Sequence, residues 1–325
     1  MLSIGYSLSS EELSPSDLVK YCAMAESTGF TFAMISDHFH PWTHRQGNSP
    51  FVWAVLGAIA EATDQIRIGT AVTCPTMRIH PAIVAQAAAT VAMLLPDRFM
   101  LGLGTGENLN EHIVGGKWPT GGTRLAMLEE ALTVICTLWK GQLTNHLGKY
   151  FKVENAQIFS RPENSPPILI AAAKKKAAQL AGRRADGLIS TAPNKSLVEA
   201  FRRTGGEGKP CYGQIAMCWA RTEEDGQARA RAIWPNALIS GEATTELSLP
   251  RHFEEVTGNM GPEMISSVGG ISCGPRTEKH IASIRKYAEA GYDHIFIHQI
   301  GPDQSDFLKF AQSELLPELA GDMAA

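Results

Sequence analysis

Apolar residues come in short blocks separated by longer stretches with helical periodicity. Nearly continuous apolar blocks fall at 4–7, 31–35, 66–72 and 98–103, and again at 167–171, 186–190, 211–220 and 294–298. Blocks without polar alternation predict strands covered on both faces. The first intervening helix opens at Ser14-Pro15-Ser16-Asp17, with serine as cap and proline in the first turn. It repeats apolar positions at Leu18, Cys22 and Ala25 and stops at Gly29. Further helices are predicted over 50–62, 81–94, 125–139, 223–233, 277–290 and 306–319, with shorter ones ending near Ala181 and starting after Asn194. Eight strand–helix alternations predict a parallel (β/α)8 TIM barrel. A polar, β-like excursion over 142–159 and an irregular stretch over 235–270 read as insertions, near 142–160 and 235–270, in a single barrel domain over 1–325. A doubly wound sheet would place G-x-G-x-x-G after the first strand. Here Gly102-x-Gly104-x-Gly106 follows the fourth strand, at the wrong spacing.

Composition narrows the function classes. Of the 325 residues 44% are hydrophobic and 19% charged, enough for a large core and against disorder. The net charge of −4, without basic–aromatic interleaving, gives no sign of nucleic acid. No apolar run approaches a membrane span, and the first residues enter a strand pattern without a leader. Six scattered cysteines without a C-x-x-C pair fit a reducing cytoplasm.

In such a barrel the chemistry sits at the C-terminal ends of the strands. Those ends carry Asp37, His38 and nearby Trp42, then Thr73 and Thr76, then Thr105 and Glu107. They also carry Thr191 and Lys195, Trp219, and His298. His38 is the best acid or base, because an imidazole titrates near neutrality. Glu107 adds a second proton site, and Trp42 a flat face for a ring system. The glycines of 102–106 are expected to turn the chain sharply and to lie close to a ligand. His38, His40 and His44 lack a zinc-type spacing, and no G-x-S-x-G is present, so neither a metal nor a serine nucleophile is expected.

Three runs carry a resemblance: Ser36-Asp37-His38-Phe39-His40-Pro41-Trp42, Gly69–Thr76, and Gly102-Leu103-Gly104-Thr105-Gly106-Glu107-Asn108-Leu109-Asn110-Glu111. The closing run Gly291–His298 adds to it. Together they resemble the glucose-6-phosphate dehydrogenase-like group of deazaflavin-dependent enzymes in the bacterial luciferase-like superfamily. The resemblance implies a barrel, usually a homodimer, that binds coenzyme F420 and exchanges a hydride at the ring's C5 with a small-molecule substrate. It implies that Asp37 contacts the ring and His38 moves the substrate's hydroxyl proton. Trp42 would stabilise the reacting complex and Glu107 would assist. Ala71-Val72 matches a backbone bulge, often a cis peptide, under the ring. Thr73, Thr105, Gly106, Asn110, Ala172, Ala173 and Lys174 would complete the cofactor site, with Lys174 nearest the cofactor's anionic group. Thr191, Lys195, Trp219 and Arg251 fall on the substrate side.

Departures change the substrate expectation. Relatives that use a sugar phosphate carry a lysine and an arginine after the seventh strand. Here Ser266-Ser267-Val268-Gly269-Gly270 stands in that region, and 235–270 holds no lysine. A phosphate dianion wants several charged donors, so glucose 6-phosphate is not the expected substrate. Ala171-Ala172-Ala173-Lys174 also replaces a glycine-richer run of relatives. The alternatives are an FMN-dependent luciferase-like monooxygenase and a barrel that only binds a ligand.

Overall fold

The computed structural model describes residues 2–322. Its strands are β1 (Ser3–Leu8), β2 (Phe32–Ile35), β3 (Arg67–Thr70), β4 (Phe99–Leu103), β5 (Thr144–Leu147), β6 (Lys152–Ala156), β7 (Ile168–Ala171), β8 (Gly187–Ser190), β9 (Cys211–Cys218), β10 (Ser272–Cys273) and β11 (His294–Gln299). The parallel order β9-β11-β1-β2-β3-β4-β7-β8 returns to β9 and closes an eight-stranded barrel. The closing pairs are Leu188↔Cys211, Ile189↔Tyr212 and Ser190↔Gly213. β10 lies beside β9, outside the ring, and β5–β6 is an antiparallel hairpin. All eight predicted strands are present, with ends shifted by a few residues.

The helices are α1 (Pro15–Thr28), α2 (Val52–Ala62), α3 (Pro81–Leu94), α4 (Asn108–Glu111), α5 (Gly121–Leu138), α6 (Lys175–Arg184), α7 (Lys195–Phe201), α8 (Glu223–Ile233), α9 (Ala243–Glu246), α10 (Pro250–Thr257), α11 (Met264–Ser267), α12 (Thr277–Glu289), α13 (Gln304–Phe310) and α14 (Leu316–Asp322). α9, α10 and α11 break up the 235–270 stretch. α5 starts earlier than its apolar pattern, because Thr120 caps it by accepting the Thr123 N–H. The predicted helix over 306–319 is interrupted by a wider turn at Ala311–Leu315. Among the described residues no helix is long and apolar enough to cross a membrane.

Side-chain alternation splits the core in two. Ile4, Tyr6, Leu8, Ile68, Leu101, Ile170, Ile215 and Ile297 pack outward against the helices. Phe32, Met34, Met100, Leu169, Ile189, Tyr212 and Phe296 fill the barrel interior. Above that plug lie the half-buried Ala71, Val72 and Ala171. They form an apolar floor for the mouth.

Candidate active site

Beyond β2 the chain delivers Asp37 and His38. The peptide between Ala71 and Val72, beyond β3, is cis. The β4 glycines differ in role from the expected ligand-hugging turn. A Cβ on Gly102 would lie 1.9 Å from the Thr70 carbonyl oxygen, and one on Gly104 would lie 2.5 Å from Val72 Cγ2. These two glycines let β4 close on β3 and its bulge. Gly106, at φ +81°, makes the actual turn. Glu107 then stands at the N-terminus of α4, whose Asn110 and Glu111 are buried.

His38 is the meeting point of three loops. Its Nε2 lies 3.3 Å from Glu11 Oε1 and 3.6 Å from Glu107 Oε2. Its Nδ1 has a partner in either protonation state. Asn110 Nδ2, at 3.1 Å, donates to the bare nitrogen, and the His40 carbonyl, at 3.2 Å, accepts from the protonated one. Asn110 Nδ2 also donates to Glu107 Oε2, and Asn110 Oδ1 accepts the N–H groups of Phe39 and His40. The side chain of Asn110 is therefore engaged with protein rather than held free for a cofactor.

The two carboxylates beside His38 are tuned apart. Burial pushes the Glu107 carboxyl up, reinforced by the Glu11 charge and only partly opposed by His38. Burial also raises Glu11, but the His38 charge and hydrogen bonds from the Ser36 and Ser9 hydroxyls outweigh it. The Glu11 carboxyl ends below its ordinary value. One imidazole thus faces a carboxylate that stays ionised and another that holds its proton more readily, an arrangement suited to proton transfer.

Asp37 is 3% exposed, and each carboxylate oxygen has a donor. Thr73 Oγ1 donates to Oδ2 at 2.7 Å and Arg78 Nη2 to Oδ1 at 2.8 Å. Arg78 also approaches Glu111, whose Oε2 accepts the backbone N–H groups of Arg78 and Met77. This Asp37–Arg78–Glu111 network ties the loops after β2, β3 and β4 together. Thr76 belongs to it, its hydroxyl lying 3.4 Å from Glu111 Oε2.

Trp42 lies beside the His38 ring, with centroids 5.1 Å apart, and meets Phe253 of α10 edge-on. Leu109, Ile239, Leu247 and Phe253 complete an apolar roof there. The segment carrying that roof grips the barrel through three carboxylates. Glu242 pairs with Lys174, Glu246 with Arg124, and Glu254 with His44. Arg124 is further occupied by the Pro119 carbonyl and the Trp118 ring.

The remaining expected residues divide. Thr105 and Gly106 line the rim, half-buried. Ala173, Lys174, Thr191 and Lys195 form an exposed shelf beyond β7 and β8, with Ala172 buried beneath. α6 begins on that shelf with no side-chain cap, so its first N–H groups are open. Arg251 is exposed on α10. It sits about 200° round from the inward Phe253 at 100° per residue.

Trp219 is a correction. It shares the outward alternation of Ile215 and Met217, and its ring stacks on Phe310 of α13 at 5.6 Å, away from His38. His298 is buried and pairs with Glu12. Glu11, Glu12, Arg78 and Glu111 were not singled out from sequence as site residues. The polar run Ser9-Ser10-Glu11-Glu12 reads as a wet loop, and nothing local marks it as buried. Among the described residues no three His, Cys, Asp or Glu side chains are grouped to hold a metal ion.

A closed barrel with an imidazole set between two unlike carboxylates, under an aromatic roof and beside an open cationic shelf, defines a proton-handling barrel enzyme. The chain belongs to the luciferase-like monooxygenase family, whose model matches residues 3–294. It is 34% identical to the F420-dependent glucose-6-phosphate dehydrogenase of Amycolatopsis mediterranei, over 98% of this chain and 99% of that one. The enzyme of that name from Microbacterium testaceum is 32% identical, over 98% and 97%. Among solved structures, an F420-dependent secondary alcohol dehydrogenase in complex with an F420–acetone adduct superposes with a TM-score of 0.89. It is 28% identical, over 97% of this chain and 98% of that one. A long-chain alkane monooxygenase, at 16% identity and a TM-score of 0.69, shares the fold.

Proposed function

We propose that this protein is a coenzyme F420-dependent oxidoreductase that interconverts an uncharged alcohol and its carbonyl compound. The residues present fit that cofactor. Ala71, Val72 and Ala171 offer an apolar floor for a flat ring. Lys175, Lys176 and the uncapped start of α6 offer donors for an anionic tail, and Lys174 joins them by exchanging its solvent-exposed pair with Glu242 for that tail. When bound, the cofactor supplies the hydride acceptor or donor at C5. The chain's residues handle the proton. His38 Nε2 takes the hydroxyl proton as the carbonyl forms, Glu11 stays ionised against the resulting imidazolium, and Glu107 holds a second proton at the rim. Trp42 and the roof exclude water from His38.

The observation that carries the substrate class is the state of the cations around His38. Arg78 is taken by Asp37, Arg124 by Glu246 and Trp118, and His44 by Glu254, while Arg251 lies off the inward face of α10. No cation among these is free for a phosphate dianion, and Lys195, exposed on the shelf, supplies one charge where such a dianion wants several. The test is a competitive titration with F420 and FMN, followed by a substrate screen. F420 should bind at low-micromolar concentration or below, simple alcohols should turn over, and glucose 6-phosphate should not. Preferential FMN binding would overturn the cofactor. Efficient sugar-phosphate turnover would overturn the substrate class.

We also propose a homodimer through the start of α2 and the outer face of α3, where Phe51, the N-cap of α2, is 60% and Ile83 55% exposed. A sedimenting species of one-chain mass would refute it. Six free cysteines support a reducing, cytoplasmic location.

A further inference from the structure

Two consecutive acids in the loop after β1 face two different imidazoles. Glu11 Oε1 lies 3.3 Å from His38 Nε2, and Glu12 Oε1 lies 2.6 Å from His298 Nε2. The His38 and Glu11 side chains are 10% and 3% exposed, those of His298 and Glu12 2% and 5%. Buried carboxylates on neighbouring residues repel, so each needs its own donors. Glu12 has two: the His298 ring on one oxygen, and the Gly301 N–H at 2.8 Å on the other.

Those donors are themselves fixed. Gln304 Nε2 donates to the carbonyls of Gln299 and Gly301, at 2.8 and 2.6 Å, and holds the turn after β11. The Trp234 edge covers the His298 ring, with centroids 4.3 Å apart. The loop is also pinned from its other side. Asn48 N–H donates to the Glu11 carbonyl and Asn48 Nδ2 to the Glu12 carbonyl. The Glu12 and Leu13 N–H groups both return to the Ser9 carbonyl. A loop clamped this way at Glu12 has little freedom to swing Glu11 off His38.

We propose that Glu12 and His298 are a buried positioning pair that holds Glu11 against His38. The proposal builds on the reading of His38 as the acid–base group. The groups that face Glu11 are His38 from the loop after β2 and, more distantly, Glu107 from the loop after β4, with the Ser9 and Ser36 hydroxyls. Glu12, its chain neighbour, turns to His298.

The test uses the full chain with Glu12→Gln and His298→Gln, singly and together. Glu12→Gln keeps an acceptor for the Gly301 N–H, so it carries the test if His298→Gln fails to fold. Carbon-13 NMR follows the Glu11 carboxyl in cofactor-free protein, and steady-state kinetics follow the F420-loaded enzyme. In His298→Gln, where both carboxylates remain, Glu11 should titrate higher than in the parent, because Glu12 loses its donor and a looser imidazole is a weaker counter-charge. In Glu12→Gln the lost like charge acts the other way, so there the reading is the Glu11–His38 coupling. The Glu11 titration should there respond less to His38→Gln than it does in the parent. Turnover should fall about tenfold with KM nearly unchanged, and the double variant should be no worse than the worse single, as for groups acting as one unit. An unmoved Glu11 titration in His298→Gln, or an undiminished Glu11–His38 coupling in Glu12→Gln, overturns the proposal, whatever turnover does. A moved titration with unchanged turnover upholds the positioning pair and overturns the acid–base reading of His38.

Discussion

The loops after β2, β3 and β4 share a barrel mouth with the loops after β7 and β8, yet the two sectors are built in opposite ways. In the first, Asp37, Arg78 and Glu111 are nearly closed to solvent and paired with one another, and buried Asn110 bonds the loop after β4 to Phe39 and His40 of the loop after β2. In the second, residues 173–176 and 191–196 are exposed, and the Lys174–Glu242 pair is open to water on both sides. A network of buried bonds fixes geometry and costs much to break. A solvated shelf offers charge at long range and adapts its shape. On the proposed function, proton transfer belongs to the first sector and cofactor retention to the second.

The largest expected effect lies in the buried sector. Arg78→Met leaves Asp37 and Glu111 without their counter-charge and should cost about 3–5 kcal/mol of stability, the scale for breaking a buried pair. Urea unfolding measures it, with the exposed Arg183→Met as reference. Equal midpoints for the two would erase the contrast. Next comes His38→Ala, which should lower turnover by roughly 100-fold or more and leave cofactor affinity nearly intact. Unchanged turnover would remove His38 from the chemistry.

On the shelf the signature should reverse. Neutralising Lys174 and Lys175 together should weaken cofactor binding and flatten its salt dependence, because screening acts on the lost charges. Turnover at saturating cofactor should hold, since those groups bind ground and transition states alike. A fall in saturated turnover would join the two sectors into one. The smallest effect concerns Glu107. Its folded-state value is raised, so the fold binds that proton more tightly than the unfolded chain does. Stability therefore falls as pH rises from the ordinary carboxylate range through the folded value. Glu107→Gln should raise the thermal midpoint near neutrality and leave it unchanged in acid. A midpoint gain that persists in acid would trace the effect to packing instead of charge.

The barrel was legible because strands buried on both faces must be written almost wholly in apolar residues. The cluster around His38 was half legible. Asp37, His38 and Glu107 stand directly at strand ends, where chemistry is looked for. Glu11 and Arg78 stand in polar loops whose burial depends on other loops folding over them, and Ser9-Ser10-Glu11-Glu12 carries no local trace of that. Trp219 shows the converse. It stands at a strand end, but alternation from Ile215 and Met217 turns it outward. Counting by two from a known outward residue would have caught it.

The packing of Gly102 against the Thr70 carbonyl has a consequence for laboratory evolution. A selection that randomises the residues around the mouth will find the exposed shelf positions permissive and position 102 closed. A Cβ there would press to within 1.9 Å of a main-chain oxygen that cannot move without parting two adjacent strands. Surviving clones should keep glycine at 102 whatever substrate they are selected on. New specificities will come instead from the separately anchored roof carried by residues 239–257.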